Sequence, residues 1–255
     1  MTRAAATVAY YVLIEAMRSG LPWLAAAGVL AVLGLAGFLS QVAITEGAAL
    51  QASVAGALLR AGAIFLIAAH VVSSVAREAN DKGLELALAL PISRPVYYLG
   101  KLIGFACVGV LLASVFALPL LAWASAADLV AWWLSLAAEI ALVAAAALFF
   151  ASAMAQALPA IAAAAGLYLL ARAVPSIQAI AAGPLAEESL PGRIARWAVD
   201  ALALLLPRLD SVAQSEWLLY GAPPVVELAH ALLGLALYFL LLLAAGLFDF
   251  SRRNL

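Results

Sequence analysis

Hydrophobic positions in this chain run in long unbroken stretches, and the charged residues between them mark where helices turn. Runs without a charge cover 19–45, 102–127, 140–171 and 228–248, with lengths of 27, 26, 32 and 21 residues. A helix needs about 20 apolar residues to cross the hydrocarbon of a bilayer. The longest run extends past Glu139 on one side and Arg172 on the other, with Gln156, Leu158 and Pro159 near its middle. It therefore predicts two helices, over 131–155 and 158–178, joined by a tight turn. A further span over 53–75 carries Arg60 inside it. The pattern predicts an all-α, polytopic membrane protein with six transmembrane helices, forming one membrane domain over 1–255.

Two segments have a different period. At 100° per residue, Arg3, Thr7, Tyr11, Glu15 and Arg18 fall within an arc of about 120°, with Ile14 the one apolar interruption. This predicts an N-terminal interfacial (elbow) helix over 1–18, its other face in lipid. Glu15, Arg18 and the longer apolar run that follows argue against a cleaved signal sequence. In the loop over 181–227, Ile194, Trp197, Ala198, Ala201, Leu202 and Leu205 recur at helical spacing, opposite Arg193, Arg196 and Asp200. A short helix packed on the outer membrane surface is expected there, with a second from Ser211 to Leu219.

Composition narrows the class. Hydrophobic residues make up 68% and charged residues 11%, against about a quarter charged in soluble domains. With a mean hydropathy of +1.13, a soluble or a disordered chain is excluded. Thirteen basic and fourteen acidic residues give a net charge of −1, so there is no footprint for nucleic acid. The single cysteine, Cys107, allows neither an internal disulfide nor a cysteine-based metal site.

Positive charge sets the orientation. With the N-terminus inside, Arg3, Arg18, Arg77, Lys82, Arg94, Lys101, Arg252 and Arg253 are cytoplasmic. Both termini are then cytoplasmic, and 181–227 is an outer loop. A cysteine introduced at position 188 is expected to react with an impermeant thiol reagent in intact cells, and one at position 81 to be spared. Labelling at 81 alone overturns this topology.

Three ionisable residues, Arg60, Glu139 and Arg172, fall within the spans. Counted from the outer helix ends they lie roughly 9–12 Å deep. Unpaired charge there is costly, so pairing or a water-filled cavity is expected. The cluster reads either as the lining of an outward-facing vestibule or as a structural ion pair. His70 and His230 differ in depth by roughly 20 Å and cannot share one iron within a monomer. Met1, Met17, Met154 and Cys107 form no soft-metal cluster. No metal site is expected. Tyr97, Tyr98, Trp132, Trp133, Trp217 and Tyr220 fit an interfacial aromatic belt.

The most informative stretch is the cytoplasmic loop over 76–101, which reads REANDKGLELALALPISRPVYYLGK from Arg77 to Lys101. Gly83 to Leu90 suits a two-turn helix that starts near Asp81 and stops at Pro91. Its four leucines, Leu84, Leu86, Leu88 and Leu90, lie between charged flanks. Such a helix either tucks under its own bundle or docks into a partner protein.

The order of Glu78, Gly83, Leu86, Leu88, Leu90, Pro91, Ser93, Arg94, Gly100 and Lys101 resembles the ABC-2 class of transporter permeases. Two departures are Leu84, where many members carry Thr, and a Glu-to-Gly spacing one residue longer than common. Leu205–Val212, LLPRLDSV, faintly resembles permeases associated with multicopper-enzyme maturation. The resemblance implies a coupling helix over Gly83–Leu90 in a groove of a separate ABC ATPase subunit, with Glu78, Gly83, Leu84, Leu86, Leu88, Leu90, Pro91 and Arg94 as the coupling residues. It implies a dimer of permease subunits, identical or not, export as the direction, and a bacterial inner membrane as the location.

The chain is not expected to be an enzyme itself. Its one Gly-Lys, Gly100–Lys101, has Pro95 where a phosphate-binding loop needs its first glycine, and no Ser or Thr follows. ATP and Mg²⁺ would be bound by the partner ATPase, and no cofactor is expected in this chain. Two other classes remain: an ion-coupled secondary transporter using Glu139, and an integral-membrane enzyme or haem protein.

Overall fold

In the computed structural model, residues 2–42, 47–81, 93–154, 156–181 and 190–252 are described. The chain is all-α, and no strand occurs among the described residues. The helices are α1 (Thr2–Arg18), α2 (Leu21–Val42), α3 (Gly47–Asn80), α4 (Arg94–Ala117), α5 (Ala126–Ala153), α6 (Ala157–Ala181), α7 (Leu190–Leu205), α8 (Trp217–Tyr220) and α9 (Val225–Arg252). Six of these, α2 to α6 and α9, are long and apolar enough to cross a membrane. The turn expected near Gln156 falls between α5 and α6.

Central α5 is the most buried span, and α2 and α9 are the most peripheral. Its run Ala144–Ala147 is buried all round; side chains this small let several helices approach one backbone at once. Ser125 caps its start, accepting from the Asp128 amide. Phe250, late in α9, stacks on Tyr97 and packs against Tyr98 at the start of α4. Helix α1 lies on the same turns of α4, so α1 and the end of α9 share one end of the bundle, here the terminal end. The α7–α8 region occupies the far end.

Helix α1 forms over the expected residues, but its inner face meets protein rather than lipid. Val12 and Ala16 are buried, and α1 packs along α4 over Gly100 and Gly104. A Cβ at Gly100 would stand 2.7 Å from Val8 Cβ, and one at Gly104 would stand 2.6 Å from Val12 Cβ. Glycine at i and i+4 makes the groove that receives α1. Gly104→Val is expected to cost about 1–3 kcal/mol by overpacking. Thermal unfolding of the detergent-solubilised protein reads this, and an unchanged midpoint would remove the groove as α1's anchor.

Two further expectations change. Tyr97, Tyr98, Trp132 and Trp217 are buried in the bundle, not placed in an interfacial belt. Tyr97 turns inward with its polar tip satisfied, donating to Glu78, whereas the Tyr98 hydroxyl and the Trp132 indole N–H are buried without a hydrogen-bond partner. The second helix expected over Ser211–Leu219 is also absent. Leu209–Ser211 is a 3-10 turn, Val212 is extended, Ala213 has φ +47°, and only Trp217–Tyr220 is helical. The carbonyls of Leu209 and Ala213 in this stretch are taken by two half-buried arginines, Arg172 and Arg60.

Candidate functional site

The segment from Leu205 to Tyr220 dips into the bundle instead of lying on its surface. At its exit, the Ala222 amide donates to Asp128 at the start of α5, at 2.7 Å. Its inner turn, however, meets Glu139 and its partners, 11 residues further along α5, which is about 16 Å of helix. Leu209, Val212, Ala213, Trp217 and Leu218 are buried there. The segment is re-entrant, which corrects the surface location expected for it.

Non-helical backbone at that depth needs donors for its carbonyls, because lipid supplies none. Two arginines provide them. Arg172 on α6 donates through Nη1 to Leu209 O at 2.7 Å, with longer contacts to Val212 O. Arg60 on α3 donates through Nη1 to Ala213 O at 2.5 Å. Alanine rarely adopts the left-handed conformation seen at position 213, and the bond to Arg60 holds it there.

Glu139 anchors this arrangement from α5. It is fully buried, and Oε1 pairs with Arg172 Nη1 at 3.0 Å. Tyr168, one turn before Arg172 on α6, lies beside both Glu139 and Arg60. The contacts on that side are loose, since Glu139 Oε2 and Arg60 Nε have no partner of full hydrogen-bond geometry. Arg60, Glu139 and Arg172 therefore do come together as the sequence suggests, with Arg60 reaching the backbone rather than the carboxylate. Two guanidinium groups against one carboxylate leave the cluster formally positive by one charge. Tyr168 was missed by sequence reading, although its i, i+4 relation to Arg172 places both on one helix face.

At the terminal end, a second network ties α1, α3 and α4. Glu15 pairs with Arg77 at 2.9 Å and accepts from Ser74 at 3.0 Å. Glu78, near the end of α3, pairs with Lys101 of α4 at 2.7 Å and accepts from Tyr97. Lys101 is only 7% exposed, while Glu78 is half-buried. Two cavities flank it, of about 450 Å³ and about 790 Å³, and Glu78, Tyr97 and Lys101 line both. The first opens between α3, α4, the α5–α6 turn and Phe250. The second opens between α1, α3 and α4.

The remaining coupling residues of the sequence reading, Gly83, Leu84, Leu86, Leu88, Leu90 and Pro91, lie outside the described residues. Arg94 opens α4. His70 is buried edge-on to Phe105 in α3, while His230 is exposed on the second turn of α9 with Nδ1 at 2.7 Å from Val226 O. The two histidines sit toward opposite ends of the bundle.

Fold and site together define a polytopic all-α membrane protein with a re-entrant segment latched by buried charge. The chain matches no known family model and no curated protein sequence.

Proposed function

We propose that this chain is the membrane-spanning permease subunit of an ABC-2 type transporter. It would couple ATP hydrolysis by a separate ATPase subunit to export of a substrate across the membrane. The observation that carries this reading is the tie between Glu78, Lys101 and Tyr97 at the base of the 82–92 segment. The resemblance rests on Glu78, Gly100 and Lys101 as well as on the loop, and all three serve structural roles at one place. Glu78 and Lys101 join the two helices that carry the loop, and Gly100 seats α1 beside them. Force applied to the loop by a partner would pass directly into α3, α4 and α1. The six spans, with the ends of α1 and α9 at one end, suit such a subunit, and the re-entrant segment would close the opposite end.

An ion-coupled transporter using Glu139 is the second reading, favoured by the unpartnered buried Oε2. It ranks lower because the same carboxylate is committed to Arg172, which in turn holds the re-entrant backbone.

The test is co-purification of the tagged full chain from its native membrane, followed by identification of associated proteins and ATPase assay in nanodiscs. An ABC ATPase that co-purifies and hydrolyses ATP in a permease-dependent way supports the first reading. Proton- or ion-gradient-driven uptake by the isolated chain in vesicles supports the second and removes the first.

A further inference from the structure

Helix α7 runs back along α6 from the far end into the bundle. Asp200 accepts from Gln178 near the end of α6 at 2.8 Å. Deeper in, Leu204 O accepts from Tyr238 of α9 at 2.9 Å, and Leu209 O reaches Arg172. Little of α7 is covered by the bundle: Val199, Ala201 and Ala203 are half-buried, and Arg196, also half-buried, lies at the outer end in the surface recess it shares with Arg193. Most of its apolar surface is uncovered. Trp197 is 74% and Leu204 82% exposed, and Ile194, Leu202 and Leu205 are exposed beside them.

The order of residue types along this helix has a direction. Arg193 and Arg196 come first, Trp197 next, and Leu202, Leu204 and Leu205 last, at the deep end. From Arg193 to Leu204 is about 16 Å of helix, close to half of the roughly 30 Å hydrocarbon thickness. Arginine at headgroup level, tryptophan at the interface and leucine below is the sequence of environments of a single leaflet. Among the described residues, Arg193 and Arg196 form no ion pair or hydrogen bond with the protein, although they line one surface recess with Trp197 and Asp200. The one carboxylate in that recess, Asp200, is engaged by Gln178.

We propose that α7 is a lipid-docking helix: its apolar face enters the leaflet at the far end, and Arg193 and Arg196 clamp the phosphate of an anionic phospholipid headgroup. This surface is independent of the transport reading. It gives the re-entrant segment a second support, because α7 leads directly into the turn held by Arg172 and Arg60. Lipid composition in that leaflet would then act on how firmly the re-entrant turn is seated.

The intact protein in a neutral detergent is titrated with phosphatidylglycerol, with phosphatidylcholine and inorganic phosphate as separate arms, and thermal unfolding is read. Phosphatidylglycerol is expected to stabilise at lower concentration than phosphatidylcholine. The pair Arg193→Gln and Arg196→Gln should need on the order of tenfold more phosphatidylglycerol, with an unchanged response to phosphatidylcholine. Equal responses of the wild type to the two lipids, or a preference kept by the double variant, overturns the clamp. The same shift with inorganic phosphate alone also overturns it, since the ligand is then a free anion. Spin labels at 193 and 204 in a Cys107→Ala background report depth separately. Oxygen access at 204 with aqueous quencher access at 193 supports the docking, and aqueous access at both overturns it.

Discussion

Glu139→Gln is expected to destabilise the purified protein by about 3 kcal/mol, the cost of removing one partner from a buried ion pair. Glutamine nearly matches glutamate in volume, so the packing around α5 is retained and the loss reports charge. What remains is Arg172 without its counterion, beside a second guanidinium on Arg60. Repulsion between the two would loosen their grip on the Leu209 and Ala213 carbonyls, so the re-entrant turn should give way first. Arg172→Gln removes the ion pair and also the donor to Leu209, and should cost at least as much. The double variant Glu139→Gln with Arg172→Gln should recover part of the loss, because no unpaired charge is left buried. Chemical denaturation in detergent measures all three, and hydrogen exchange over 205–220 locates the effect. Wild-type stability in Glu139→Gln would mean that the pair carries no weight and that the re-entrant turn holds by apolar packing alone.

The spans were legible in the sequence because crossing a bilayer demands a long run without charge, and charges punctuate this chain sharply. The α5–α6 turn was legible for the same reason: Gln156 and Pro159 break a run otherwise too long for one helix. Arg60, Glu139 and Arg172 stood out because charge inside a span is costly anywhere, whatever the partner. Their purpose was not legible. Arg60 bonds to Ala213, 153 residues away, and Arg172 to Leu209, 37 residues away. Backbone carbonyls carry no side-chain signature, and a polar stretch such as Pro207–Asp210 looks the same whether it faces water or arginines within the bundle. The inward turn of Tyr97 was hidden for a related reason, since the amphipathic ring that suits a headgroup layer also suits a bundle with one polar partner. Helix α1 shows the limit of periodicity in a membrane protein. An apolar face is satisfied equally by lipid or by another helix, and only the glycine pair at 100 and 104 distinguished them.

Replacing Leu86 and Leu88 together with Asp is expected to release the proposed ATPase from the permease while the six-helix bundle still inserts and folds. The two parts of this outcome have separate causes. The helices on either side of the 82–92 segment end at fixed points: the Asp81 amide still donates to Arg77 O, and Ser93 O accepts from the Tyr97 amide. Glu78 with Lys101 and Tyr97 closes the gap between them. None of these contacts uses the leucines, so folding should not depend on them. Binding should, because four leucines within seven residues between charged flanks have no soluble domain among the described residues to cover them. Truncating or charging central apolar anchors of an interface costs on the order of 2–4 kcal/mol, a loss of roughly thirty- to thousand-fold in affinity. Charges at Asp81, Lys82, Glu85 and Arg94 would set partner choice more than strength, while Glu78 stays committed to Lys101 and Tyr97. Glu85→Ala should therefore keep the complex at low salt and weaken it far less than the leucine pair. The readouts are retention of the ATPase through purification, permease-stimulated ATP hydrolysis, and the unfolding midpoint of the permease alone. A doubly substituted permease that keeps its ATPase and its stimulated hydrolysis would show that docking uses another surface. One that no longer folds would show instead that the leucines tuck under their own bundle, which removes the docking assignment as well.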